Sequence, residues 1–177
     1  MSKARVEELW SDKNEDFMKG IAHMCEIKRD QHEQAGYSFK KRNTYWGLPA
    51  ILIPTIMAPI SVLIDENTDS GKYVNAGAFL LTGIITGVLS FFKYGEKMAN
   101  HFNFSSKYAD VISDIDLELM KAPQFRVQLD VFSTRIHMIT DSLSNSEPII
   151  PSNIVNNPRY KKKNYDILPN TELEINV

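Results

Sequence analysis

The sequence predicts an all-α fold: a two-span transmembrane helical hairpin joined to a cytosolic helical bundle or coiled coil of N- and C-terminal helices. Three observations predict it. Two windows, residues 46–64 and 74–92, each run 19 residues without a charged side chain. The segment between them, DENTDSGKY (65–73), is short and polar. Outside the windows, apolar residues recur at helical spacings among many charges. Bulk composition hides this pattern: 43% hydrophobic residues and a mean hydropathy of −0.27 average two apolar blocks with a charged remainder.

The first element, residues 1–42, mixes nine basic and eight acidic side chains. Val6, Trp10, Phe17, Ile21 and Met24 recur mostly three or four apart, which predicts an amphipathic cytosolic helix leading to the first window. Gly20 and Gly36 weaken it locally. The first sixteen residues lack an apolar core and a small-residue cleavage pattern, so no cleaved signal peptide is expected.

Residues 43–64 form the first predicted span. At about 1.5 Å per residue a 19-residue window reaches roughly 28 Å, close to the ~30 Å hydrocarbon core of a bilayer. Pro49 is expected in the first helical turn, where a missing N–H removes no bond. Pro54 and Pro59 are expected to kink the helix, freeing the carbonyls of Ala50 and Thr55. Such kinks are tolerated in a membrane where a neighbouring helix, a hydroxyl or water satisfies the freed groups. A soluble core helix would carry a polar face, and a strand would lose a ladder donor at each proline.

Residues 65–73 are the extracytoplasmic turn, and 74–92 the second span. Lys40, Lys41 and Arg42 precede the first window, Lys93 and Lys97 follow the second, and Tyr45, Trp46, Phe91, Phe92 and Tyr94 sit at the same ends. The turn carries Asp65, Glu66 and Asp69 against Lys72. Basic flanks with aromatic belts place both termini in the cytoplasm. Within the second span, Gly83 and Gly87 form a GxxxG pair with Thr82, Thr86 and Ser90 alongside, which predicts a helix-packing face.

Residues 93–143 return to helical periodicity. Tyr108, Ile112, Ile115 and Leu119 share a stripe, and Pro123 interrupts it. Phe125, Leu129, Phe132, Ile136, Ile139 and Leu143 then alternate four and three, a heptad seam for a bundle or an oligomer. Residues 144–177 hold four of the eight prolines and read as an extended tail that wraps its own bundle or docks on a protein partner.

Chemistry-bearing patterns are sparse. There is no GxxxxGK, GxGxxG, GxSxG or HExxH. Cys25 is the single cysteine, which excludes an internal disulfide, and His23-x-Cys25 supplies two metal ligands at most. Asp110, Asp114 and Glu118 read as a solvated acidic face. His101 and Tyr108, one heptad apart, read as a buried polar contact or a protonation-sensitive gate. A net charge of −2 gives no general attraction to nucleic acid. No enzyme activity, cofactor, metal or small-molecule substrate is expected. The expected partners are the lipid bilayer, further copies of the chain and a protein that binds the tail.

The order of a charged helix, a Tyr-Trp edge, a Gly-rich second span and then FFKYGEKMANHFNFSSKYADVISDIDLEL resembles SLATT-type two-span domains over roughly residues 35–155. The residues carrying the resemblance are Lys93, Glu96, His101, Tyr108 and the Pro148-Ile-Ile-Pro151 element. It implies a two-span, pore-forming membrane module, in a stand-alone form of the kind found in large DNA viruses, with no catalytic residues. The expected function is therefore an oligomerising membrane module, a pore or a scaffold. The alternative is a structural or docking component of a membrane, such as a viral inner-membrane or capsid-associated protein.

Overall fold

A computed structural model describes residues 10–63 and 69–160. They form α1 (Asp12–Leu63), α2 (Asp69–Phe92), α3 (Tyr94–Met120), a 3-10 turn (Pro123–Phe125), α4 (Leu129–Ser146) and a short α5 (Ser152–Val155). No strand occurs among the described residues. The all-α prediction holds. The described residues up to Ala35 and from Asn100 onward make one compact unit, and Gly36–Ala99 a second.

Helix α1 runs 52 residues without a break, with Asp12 and Glu15 favourably placed near its positive N-terminal end. The N-terminal helix and the first apolar window thus belong to one continuous helix. This corrects the reading of Pro49: it lies in the helix interior with Pro54 and Pro59, not in a first turn. Each proline removes one i→i−4 bond, so the carbonyls of Tyr45, Ala50 and Thr55 lose their usual donors. Steps of five residues rotate about 140° around a helix, which spreads the three weakened points over different faces. The helix boundary therefore falls beyond the prolines and not at them.

Helix α2 starts at Asp69, so residues 69–73 of the expected turn are helical; residues 64–68 lie outside the described residues. Along α2, Gly71, Asn75, Ala78, Thr82, Ile85 and Leu89 are covered at steps of four, three, four, three, four, with Val88 also part-covered. That periodicity is a helix-packing seam. Lys93 separates α2 from α3 in the left-handed region, at φ 49°, a conformation that a non-glycine residue adopts at a cost. The hydrogen-bond ladder resumes at once on both sides, with Lys93 N–H donating to Leu89 and Lys97 N–H to Lys93. One helical run among the described residues, Gly71–Met120, is long and apolar enough to cross a membrane, and its apolar window is only 6% buried.

The first unit has a conventional core. Helix α3 buries His101, Phe104, Tyr108, Val111, Ile115 and Glu118, a three-four alternation, and α4 buries Phe132, Ile136 and Leu143. Met18, Ala22 and Cys25 of α1 and Trp10 pack with them. The α1 stripe therefore differs from the expected one. Phe17 and Met24 are exposed, while Met18, Ala22, Cys25 and His32 face inward; Val6 lies outside the described residues. Small and polar side chains let α1 approach its neighbours closely, which large apolar spacing alone does not reveal. A second face of α1, Ile27 and Ala35, packs against Ile154 and Tyr160.

The heptad seam also needs correction. Phe125 belongs to the 3-10 turn before α4 and is 70% exposed. Ile139 is at the exposed rim, in a shallow groove with Met138, Lys107 and Asp114. Leu129 packs against the core edge, and the buried seam is Phe132, Ile136 and Leu143. Glu118 departs from the solvated face assigned to it: it is buried and accepts bonds from Val127 N–H at 2.6 Å and Lys121 Nζ at 2.6 Å. It closes the turn that brings α4 back. Arg126 ties the same turn to Leu119 O, Lys121 O and Glu15, over the Trp10 ring.

Candidate functional site

His101 and Tyr108, expected as a mutual polar contact, are both turned inward, but each is bonded to a residue of another segment. Both sit on the inward stripe of α3, two turns apart, and both are almost completely buried. They do not bond to each other. His101 Nδ1 lies 2.9 Å from His32 Nδ1, and the Tyr108 hydroxyl donates to Glu147 Oε2 at 2.9 Å. His32 Nε2 is 3.1 Å from the same Glu147 oxygen, and Lys28 Nζ donates to Glu147 Oε1 at 2.5 Å. The His32 ring stacks within 6 Å of Phe104 and Tyr108.

Each element has a reason to deliver its residue. Lys28 and His32 are one helical turn apart on α1, so they reach the same partner. Glu147 is the residue at which α4 ends, with extended backbone ahead of Pro148. The chain then returns along α1 to place Ile154 and Tyr160 on Ile27 and Ala35. Glu147 is thus a single carboxylate that joins α1, α3 and the C-terminal strap.

The proton positions follow from the partners. Ionised Glu147 can only accept, so His32 carries its proton on Nε2. In neutral His32, Nδ1 is then the acceptor and His101 Nδ1–H the donor. Adding a proton to His32 reverses that last bond. Burial pushes both imidazoles down, His101 to about 4, with the neighbouring His32 charge also opposing its protonation. Glu147 partly counters this effect on each. Burial alone would push the Glu147 carboxyl up, but the bonds from Lys28, His32 and Tyr108 outweigh it and hold it below the usual range. Burial and the Glu147 charge push Tyr108 up. At neutral pH the site is an ionised Glu147 paired with the part-exposed Lys28, beside two buried neutral histidines. It can hold a proton and change hydrogen-bond polarity.

The remaining predicted positions are dispersed. Gly83, Thr86, Gly87 and Ser90 are exposed on α2, and a Cβ added at either glycine would meet nothing within 4 Å. Both glycines lie roughly 120–160° around the helix from the Asn75–Ile85 seam, at about 100° per residue. Thr82 is on the seam side and donates back to Ala78 O. Cys25 is buried, which raises its thiol to about 11, and His23 faces Glu26 instead. No group of three or more metal-ligating side chains occurs among the described residues. Lys28, His32 and Glu147 escaped the sequence reading because they are far apart in the chain; the weak signal was a histidine on the inward face of α1 and a glutamate abutting the Pro148-Ile-Ile-Pro151 element.

No protein-family model matches this chain, and neither a curated protein nor a solved structure is detectably similar to it.

Proposed function

We propose that the chain is a two-span integral membrane protein that oligomerises as a membrane module. The observation that carries this reading is the inverted surface of residues 36–99. Ile51, Ile56, Phe79, Leu80 and Ile84 are each more than half exposed. A soluble core helix would cover these side chains, whereas lipid is their natural solvent. Both termini are assigned to the cytoplasm from the basic flanks. The open Gly83–Gly87 face is assigned to a second copy, since the chain's own seam lies on the far side of α2. The resemblance of residues 35–155 to SLATT-type modules points to a pore; a scaffold has the same two spans without a lumen.

The Lys28–Glu147–His32–His101–Tyr108 network supports a structural role in this reading. It holds the extramembrane helices in one arrangement. Residues 147–160 are committed to that unit, so docking on a protein partner falls to residues 161–177, which lie outside the described residues.

Carbonate extraction followed by labelling of single engineered cysteines tests the topology. A cysteine at position 68 should react with a membrane-impermeant maleimide on the opposite side from one at position 130. Release by carbonate would overturn the reading. A cysteine at Gly83 should crosslink between copies, and ion flux from protein-loaded liposomes separates pore from scaffold.

A further inference from the structure

The ends of the two apolar segments carry a feature that neither the core nor the buried network uses. Phe39 and Arg42 of α1 meet Tyr94 and Lys97 of α3 within residues 36–99. The Arg42 guanidinium sits 5.8 Å from the centre of the Phe39 ring, and the Lys97 ammonium 5.9 Å from the same centre. Tyr94 stacks beside Phe39 at 6.4 Å, and Phe92 stacks on Tyr94 at 5.3 Å and 5°. One aromatic ring therefore gathers two cations from two helices, each exposed to solvent.

Their charges are not neutralised locally. Among the described residues no carboxylate lies within 4.0 Å of Arg42 or Lys97, and the neighbouring Glu96 is paired with Lys93 at 3.4 Å. Lys40 and Lys41 add two further exposed charges. The left-handed turn at Lys93 resets the helix immediately before Tyr94 and Lys97. Directly alongside stand exposed rings, Tyr45 on α1 and Phe91 and Phe92 on α2, at the ends of the apolar runs.

We propose that Phe39, Arg42 and Lys97 form a binding site for the phosphate of an anionic phospholipid headgroup. The inference rests on the membrane reading and gives it a lipid class. A guanidinium offers a planar fork that takes two phosphate oxygens, and the ammonium adds a compact charge to the same group. Each cation is held within 6 Å of the same ring centre before lipid arrives, which lowers the ordering cost of binding. The exposed aromatic side chains fit the glycerol and upper acyl region. A free phosphate would gain nothing from those rings; a phospholipid uses both halves of the site.

The test is native mass spectrometry of the full chain extracted from vesicles of phosphatidylcholine mixed with phosphatidylglycerol, with integration checked in parallel by carbonate extraction. The wild-type chain should retain phosphatidylglycerol in preference to phosphatidylcholine. Arg42→Gln with Lys97→Gln should lower that retention by about tenfold or more, taking about fivefold per charge. Lys40→Gln with Lys41→Gln removes the same net charge away from the Phe39 ring and should lower retention severalfold less than the Arg42 and Lys97 pair. Equal losses in the two double variants mean general surface charge and overturn the site, as does no loss in either. Full competition by inorganic phosphate also overturns it, in favour of a free-anion site. A chain that integrates but shows no anionic preference sinks the lipid site and leaves the membrane reading standing. A chain that fails to integrate sinks both.

Discussion

The two compact units of this chain treat large apolar side chains in opposite ways: residues 36–99 turn them outward, and the other unit covers them around a polar network. In residues 36–99, Ile51, Phe79 and Phe91 stand outward at 66%, 69% and 80% exposure. In the other unit, His32 and His101 are 0% and 2% exposed, and Lys28, Tyr108 and Glu147 join them in one network. The contrast teaches that hydrophobicity alone does not tell inside from outside. What decides is the solvent each surface meets and whether a buried polar group finds all its partners.

The largest expected effect breaks the first half of that contrast. Leu80→Arg with Ile84→Arg places two charges on the exposed face of α2. At roughly 2.5–3.5 kcal/mol per charge near the centre of a span, integration should become less favourable by about 5–7 kcal/mol. Carbonate-resistant protein should fall sharply, while far-UV circular dichroism of the solubilised chain should stay helical. Unchanged integration would show that this face never meets lipid.

Breaking the second half should cost less. Glu147→Ala strands the Lys28 charge and leaves the His32 Nε2–H and the Tyr108 hydroxyl without their acceptor. Leaving the two buried donors unpaired costs about 1–3 kcal/mol each, while the part-exposed Lys28, 33% accessible, adds little. Denaturant unfolding in detergent should report that loss, and hydrogen exchange should rise first over residues 147–160. A loss below about 1 kcal/mol would demote the network to a surface contact.

The same network sets a pH dependence. Folding holds His101 down at about 4 from an unfolded value of 6.5. Between those values the unfolded chain binds more protons, so stability is fully present above about pH 6.5 and is lost as pH falls toward 4. From that single shift the full loss is about 3 kcal/mol. Glu147, also held low, adds a loss of the same sign at the acid end. Unfolding measured across pH 4–7 should slope this way, and His101→Gln should flatten it.

The smallest effect sharpens the boundary of the core. Ile136→Val, at a fully buried site, should cost about 1 kcal/mol. Ile139→Val, on the rim of the same helix, should stay within about 0.5 kcal/mol. Equal costs at both positions would restore the longer seam that the heptad spacing suggested.

The sequence by itself determined the all-α class and the position of both apolar windows, because each depends on local quantities: charge-free length, glycine and proline placement, and three-four periodicity. Of the six seam positions it named, Phe132, Ile136 and Leu143 are buried, whereas Phe125 and Ile139 are exposed. Only tertiary structure decided three other features. It joined the N-terminal helix and the first apolar window in one helix, with Pro49 in its interior. It turned α1 so that Met18, Ala22, Cys25 and His32 face inward while Phe17 and Met24 face out. It brought Glu147 back across 115 residues to His32. These are pairings between distant segments. A histidine or glutamate has no local signature that says whether its partner, one hundred residues away, will be there to share its proton.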